Sequence, residues 1–276
     1  MKKTLLSLLL LFISCYSFSQ ITLGTNDFPK SGRIYNLSTA TPFTGMDAKL
    51  TDTNYVWDYS LLATKRNGGR VDTFMTVAQT ASLYALYFAA GSHKSNQAIT
   101  GNNFSLGSFI TVTNAYNFFE NSTTSYNQTG FGGNVNSIPT PIGYTPEDVV
   151  YQYPVNYGNI DSSNSAYVIS IPNLIYYGVN MTRTNMVDGW GTLITPYGTF
   201  NTLRLKSTIV ERDTFHVDTL VHYGMNLPPT TRVEYKWLGA VMGEPLLQIN
   251  MTGNATSITP PTATIQARGV SRCSAG

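Results

Sequence analysis

His216, Asp218 and His222 gather imidazole and carboxylate groups into one short segment. Such groups can ligate a metal or exchange protons. Their even spacing places all three on one face of a single strand. A strand rises about 3.3 Å per residue, so the two histidines would stand about 20 Å apart, too far for one ion. His216 with Asp218 supplies two ligands, fewer than a zinc site needs. The expected role is a solvated strand face. Paired carboxylates would suit glycoside hydrolysis if two of them stood about 5–10 Å apart. Asp148, Asp188, Glu211, Glu234 and Glu244 are the candidates. Asp188 precedes Gly189 and reads as a turn residue, while Glu234 lies between Arg232 and Lys236, where ion pairing is expected. Asp161-Ser162-Ser163-Asn164 offers oxygens but lacks the acids and glycine of a calcium loop, and reads as a turn. A Gly-x-Ser-x-Gly nucleophile elbow is absent. These residues assign no catalytic group, no metal site and no cofactor, and they lean away from an enzyme.

Aromatic side chains are the other candidates, because their faces stack on apolar ligand surfaces. Trp237 alternates with Val233 and Tyr235 and reads as core. Trp190 and Tyr197 follow turn signals and are the expected ligand-binding residues.

The elements that must hold these groups read as strands. In 231–238, Val233, Tyr235 and Trp237 share one face, and Arg232, Glu234 and Lys236 share the other. Strand side chains alternate faces, so one face is expected to pack and the other to meet water. Leu203, Leu205 and Ile209 alternate with Arg204, Lys206 and Arg212 in the same way. Asp188-Gly189 is a two-residue hairpin signal. Leu227-Pro228-Pro229 and the segment 239–245 mark further connections. Residues 82–90 read as one helical segment, and 130–141, rich in Gly, Asn and Pro, as a loop. Consecutive strands on short turns predict an all-β, antiparallel meander that forms a β-sandwich or a strongly curved half-barrel.

Residues 1–19 have the layout of a signal peptide: Lys2 and Lys3, an apolar run from Leu5 to Ile13, then Ser17-Phe18-Ser19 before Gln20. The run is shorter than the roughly 20 apolar residues that span a bilayer, and no second run follows. A lipid-attachment reading of Cys15 is the less favoured alternative. The whole chain carries 17 Lys+Arg and 15 Asp+Glu. Lys2 and Lys3 leave with the leader, so the remaining 257 of the 276 residues are formally neutral. That balance offers no footprint for nucleic acid. Cys273 has no base near it in sequence, so a reactive thiolate is not expected. The expected organisation is a leader over 1–19, a β-rich part over 20–140, a meander over 141–251, in one domain with the preceding part or apart from it, and a poorly ordered tail over 252–276.

The run 187–200, Val-Asp-Gly-Trp-Gly-Thr-Leu-Ile-Thr-Pro-Tyr-Gly-Thr-Phe, continues into Leu203-Arg204-Leu205-Lys206-Ser207. It resembles a segment of uncharacterised secreted proteins of Bacteroidota, which usually end in a type IX secretion sorting domain. The segment 55–62, Tyr-Val-Trp-Asp-Tyr-Ser-Leu-Leu, is similar to their early Trp-Asp-aromatic-Ser motif, and 148–155 to a third block. Residues 252–276 do not supply the sorting domain: the protein leaves by another route, stays in the periplasm, or continues past residue 276, so the resemblance does not license a surface-attached reading. The expected function is an exported, non-catalytic β-protein with an extracellular or periplasmic binding role. Its partner would be a glycan or an apolar small molecule. A periplasmic carrier of a lipid and a secreted glycoside hydrolase are the alternatives. The carrier reading requires an apolar concavity of several hundred Å3.

Overall fold

The computed structural model describes residues 20–41, 46–107, 109–172, 175–218, 222–254, 257–258 and 262–272. Residues 1–19, Cys15 among them, and Cys273 lie outside them. Sixteen strands and one short helix are present among the described residues. They are β1 Arg33–Thr41, β2 Tyr55–Asp58, β3 Ala63–Phe74, α1 Ser82–Ala89, β4 Gln97–Thr100, β5 Phe104–Leu106, β6 Ile110–Asn121, β7 Ser125–Val135 and β8 Ile138–Gln152. After these come β9 Ile160–Ile171, β10 Ile175–Thr195, β11 Gly198–Asp218, β12 His222–Asn226, β13 Thr230–Leu238, β14 Leu247–Asn254, β15 Ser257–Ile258 and β16 Thr262–Arg272.

The larger sheet has 11 strands: the path β2-β10-β11-β13-β14-β16-β1-β3, with β9 on β10, β12 on β11 and β15 on β14. The smaller has five: the path β4-β6-β7-β8, with β5 on β6. Pairing is antiparallel except where β2 runs parallel to β10. The sheets pack face to face. Phe131, Ile142 and Tyr144 of the smaller meet Ile169, Ile175 and Val179 of the larger. Further along, Tyr126 and Tyr151 meet Val187, Leu203, Leu205 and Leu238. The fold is all-β as expected; of the two expected architectures, sandwich and half-barrel, two packed sheets make the sandwich. β8 runs through residue 140, and strands from both sides of that position share the larger sheet, so the two parts form one sandwich.

The alternation in β13 is real, but of its polar face only Arg232 meets water. Glu234 and Lys236 are buried between the sheets. Arg183 of β10 grips Asp148 of β8 through two bonds of 2.8 and 2.7 Å. Glu234 pairs with Lys236 at 2.7 Å and with Arg232 at 2.8 Å, and lies 3.7 Å from Arg183. Burial alone would raise the Glu234 carboxyl, but Lys236, Arg183 and Arg232 hold it well below the usual carboxylate range. The face of Trp237 is buried too. Trp57, Leu193, Leu247, Ile249 and Ile265 surround it on the outer side of the larger sheet. The segment 46–62 roofs this cluster. The Trp57 indole donates to the Leu50 carbonyl at 2.9 Å, and Arg204 donates to the same oxygen at 2.6 Å.

Four local expectations change. Asp188-Gly189 is not a turn: β10 passes through it with a register shift between Val187 and Gly189. The Asp188 carboxylate is held by the buried Arg204 guanidinium at 3.0 Å, which fixes it inside the fold. The hairpin closes at Pro196-Tyr197 instead, between the partners Thr195 and Gly198. Residues 130–141 are not a loop but a β7–β8 hairpin, turned by Asn136 and Ser137 at φ 47° and 72°. Positive φ at both positions is what a primed turn requires. Gly132 lies mid-strand because Tyr84 of α1 lies 3.0 Å from where its Cβ would stand. Residues 161–164 lie on β9, not in a turn, with Asp161 accepting from Asn185 and Asn164 from Thr182. The stretch expected as a tail carries β16, inserted between β14 and β1. A strand paired on both edges gains its bonds from the backbone rather than from a pattern of apolar side chains; Ile265 is buried in it.

The segment 82–90 is helical as expected, but Tyr84 and Phe88 face the core while Leu83, Leu86 and Tyr87 are exposed.

Breaking the buried ion cluster tests its role. Glu234→Gln leaves Lys236 without its partner and should cost about 3 kcal/mol in urea unfolding at pH 7. Because the folded carboxyl titrates below its unfolded value, its contribution is complete above about pH 4.5 and is lost as pH falls. The gap between wild type and variant should therefore narrow below pH 4.

Candidate functional site

The two sheets leave an opening on each side, and the two openings differ in chemistry. On one side stand β8 and β9, each an edge strand: β8 pairs with β7 alone and β9 with β10 alone. Near residue 163 they touch, the Ser163 hydroxyl donating to the Val149 carbonyl at 3.5 Å. Between 138–145 and 166–172 lies a groove of about 630 Å3. Ile142, Tyr167, Ile169 and Ile171 line it. No Asp, Glu, Lys, Arg or His is among its lining residues. Ile138 and Val168, 67% and 45% exposed, stand on its walls, and Tyr87 of α1 contributes to the lining. Tyr87 is steadied by His93, whose ring stacks on it with centroids 5.6 Å apart.

On the other side, β3 approaches β4 through the Met75–Ala98 bridge. Here a cleft of about 250 Å3 opens between the sheets. Arg70 and Asp72 of β3, Lys236 of β13 and Glu244 of the β13–β14 loop supply its charge. Phe74, Phe119, Tyr126 and Tyr151 supply its aromatic wall. Arg70 and Asp72 pair at 2.7 Å. Lys236 is paired with Glu234, and its ammonium lies 5.3 Å from the Tyr151 ring centroid.

Glu244 differs from these. Among the described residues its carboxyl has no side-chain hydrogen bond or ion pair. The loop that presents it is pinned: the Val241 N–H donates to the Asp27 carboxylate at 2.8 Å and the Gly243 N–H to the Asp27 carbonyl at 2.9 Å. Gly243 has φ 76°, and a Cβ there would run into Tyr35. Both facts demand glycine. Burial pushes the Glu244 carboxyl up to about 7; Asp72 adds to the shift, and Arg70 and Lys236 oppose it. Burial, with Glu244 next, likewise pushes the Tyr35 hydroxyl up to about 12.

The residues singled out by sequence are scattered. Trp190 is partly buried against the inter-sheet core, and Tyr197 lies 39% exposed at the β10–β11 turn. Neither lines the groove or the cleft. His216, Asp218 and His222 are not on one strand. Asp218 and His222 are register partners across the β11–β12 hairpin, and His216 faces Gly224. No group of three metal-binding side chains is present among the described residues. Of the five acids, Asp148, Asp188 and Glu234 are committed to arginine and lysine partners. Glu211 lies by Asp213, and burial raises its carboxyl. Glu244 alone of the five lines a cavity described here. Sequence reading missed Arg70 and Asp72, which alternate on β3 in a segment with no other chemical signal. It also missed the groove, whose walls come from two different sheets.

No family model matches the chain, and no curated protein does. One solved structure it is similar to is titled a "putative lipoprotein" from Parabacteroides distasonis ATCC 8503. The two share 9% identity, with 88% of this chain and 97% of that one covered, at a TM-score of 0.33. A likeness that low carries no argument about function.

The Glu244 carboxyl gives a measurable signature. Its folded value lies above its unfolded one, so the folded state holds the proton longer and stability falls as pH rises from about 5 to 7.5. Glu244→Gln should flatten that part of the melting-temperature profile. A variant whose profile retains the full wild-type slope would place the carboxyl in water instead.

Proposed function

We propose that this chain is a non-catalytic binding protein of the extracellular space or periplasm, and that its ligand is an apolar chain such as the acyl chain of a lipid. The β8–β9 groove is the observation that carries this reading. Its volume falls within the range of small-molecule sites, about 300–1,000 Å3, and its lining is uncharged. A charged ligand would lose its hydration there without gaining a counter-charge. An acyl chain loses nothing of that kind, and removing apolar surface from water favours its entry by about 25 cal/mol per Å2. The exposed Ile138 and Val168 at the walls extend the apolar surface outward, as a site that admits such a chain from solution requires. Location outside the cytoplasm rests on the leader-like residues 1–19 and on the resemblance to secreted Bacteroidota proteins.

Titration with cis-parinaric acid, a fluorescent fatty acid, tests the reading. Saturable binding is expected. Ile138→Asp and Val168→Asp should each weaken it about tenfold or more, equivalent to about 1.4 kcal/mol. Both side chains are well exposed, so the melting temperature should hold. Absence of saturable binding to the wild-type protein, or binding that both variants retain in full, would overturn the assignment.

A further inference from the structure

We propose that the inter-sheet cleft beside Glu244 is a second binding site, separate from the apolar groove, and that it takes a neutral polyhydroxylated ligand the size of one sugar ring. Three observations converge on this class.

The first is the unpartnered carboxyl. Glu244 projects from a loop held by Asp27 into a cavity bounded by both sheets. The residue is only partly buried, so water meets the carboxyl, and a ligand hydroxyl can take that water's place. The second is the charge around it. The charged groups near it are Arg70 and Asp72 on β3, and Lys236 with its partner Glu234 on β13. Each cation already has its acid. A cationic ligand would meet Arg70 and Lys236, and an anionic one Asp72 and Glu244. A neutral ligand meets neither penalty. The third is the remaining lining. Asn117 and Gln248 present amides, which both donate and accept, while Phe74 and Phe119 present apolar ring surface. Hydroxyls spaced around an apolar ring face complement that mixture. The volume of about 250 Å3 limits the occupant to a single small ring.

The protonation of Glu244 favours hydroxyls further. Near neutral pH its carboxyl alternates between an acceptor and a donor–acceptor. A hydroxyl satisfies both states. An ammonium satisfies only the ionised form, and a carboxylate only the protonated one.

Saturation-transfer NMR on the wild-type protein at pH 7 is the test, with glucose, galactose, mannose, xylose and arabinose as neutral probes. Glucosamine and glucuronate are the charged controls. Transfer to at least one neutral sugar is expected, with both charged controls bound about tenfold more weakly. Glu244→Leu should abolish the transfer. Gln248→Ala, at a partly exposed strand position, should weaken it severalfold and serves if the first variant does not fold. Failure of every neutral sugar, equal or tighter binding of a charged control, or undiminished transfer in a folded Glu244→Leu or Gln248→Ala protein each overturns the proposal. Fatty-acid binding at the groove is read separately, so either site can fail without the other.

Discussion

The contact on which the molecule depends is the ionic bond between Asp148 and Arg183. There a charged side chain of the smaller sheet meets one of the larger, in a space shared by aromatic and aliphatic groups and by Glu234 and Lys236. Taking two such charges out of water is expensive, and the cost is offset only when the geometry is close and the other charges nearby are also met. Here the guanidinium binds its carboxylate through two bonds, and Glu234 and Lys236 continue the belt across β13. The arrangement admits one register. A one-residue slip of β13 would carry Glu234 and Lys236 to the tryptophan face and Trp237 into the ionic belt. The same belt sets the edge of the polar cleft, since Lys236 belongs to both.

The two openings follow from how the sheets end. On the β8–β9 side, two unpaired edges lie beside the apolar cluster of Ile142 and Ile169, so the gap between them is lined by what the core already contained. On the β3–β4 side, the edge strand carries Arg70 and Asp72, and the β13–β14 loop adds Glu244. One sandwich thus offers an oily margin and a polar one.

Much of the fold was legible because alternation is a local property. β13 and β11 announced themselves through Val233-Tyr235-Trp237 and Leu203-Leu205. What alternation reports is which residues share a face, not what covers that face. Glu234 and Lys236 looked solvated for this reason, since Asp148 and Arg183 stand far away in sequence. Asp188-Gly189 misled because a turn dipeptide outside a turn is explained only by a distant partner, Arg204. Gly132 misled in the opposite direction, because Tyr84, which occupies the space of its missing side chain, lies on α1. Of the polar site, Glu244 was visible as an acid and Arg70 and Asp72 were not, because nothing local ties β3 to the β13–β14 loop. The groove was least legible, since it belongs to no element but to the space between two.

The place of β16 has a kinetic meaning. Strands β1 and β3 pair with each other, and among the described residues β16 is what joins that pair to β14 and the rest of the larger sheet. β1 spans residues 33–41, while β16 spans 262–272. Closing a loop of that length is entropically slow, and contacts so far apart in sequence delay folding. A chain delivered from its N-terminus can form the β10–β11 hairpin early, since its strands adjoin. It cannot finish the larger sheet until β16 arrives, so the β1–β3 pair joins β14 only in a late event.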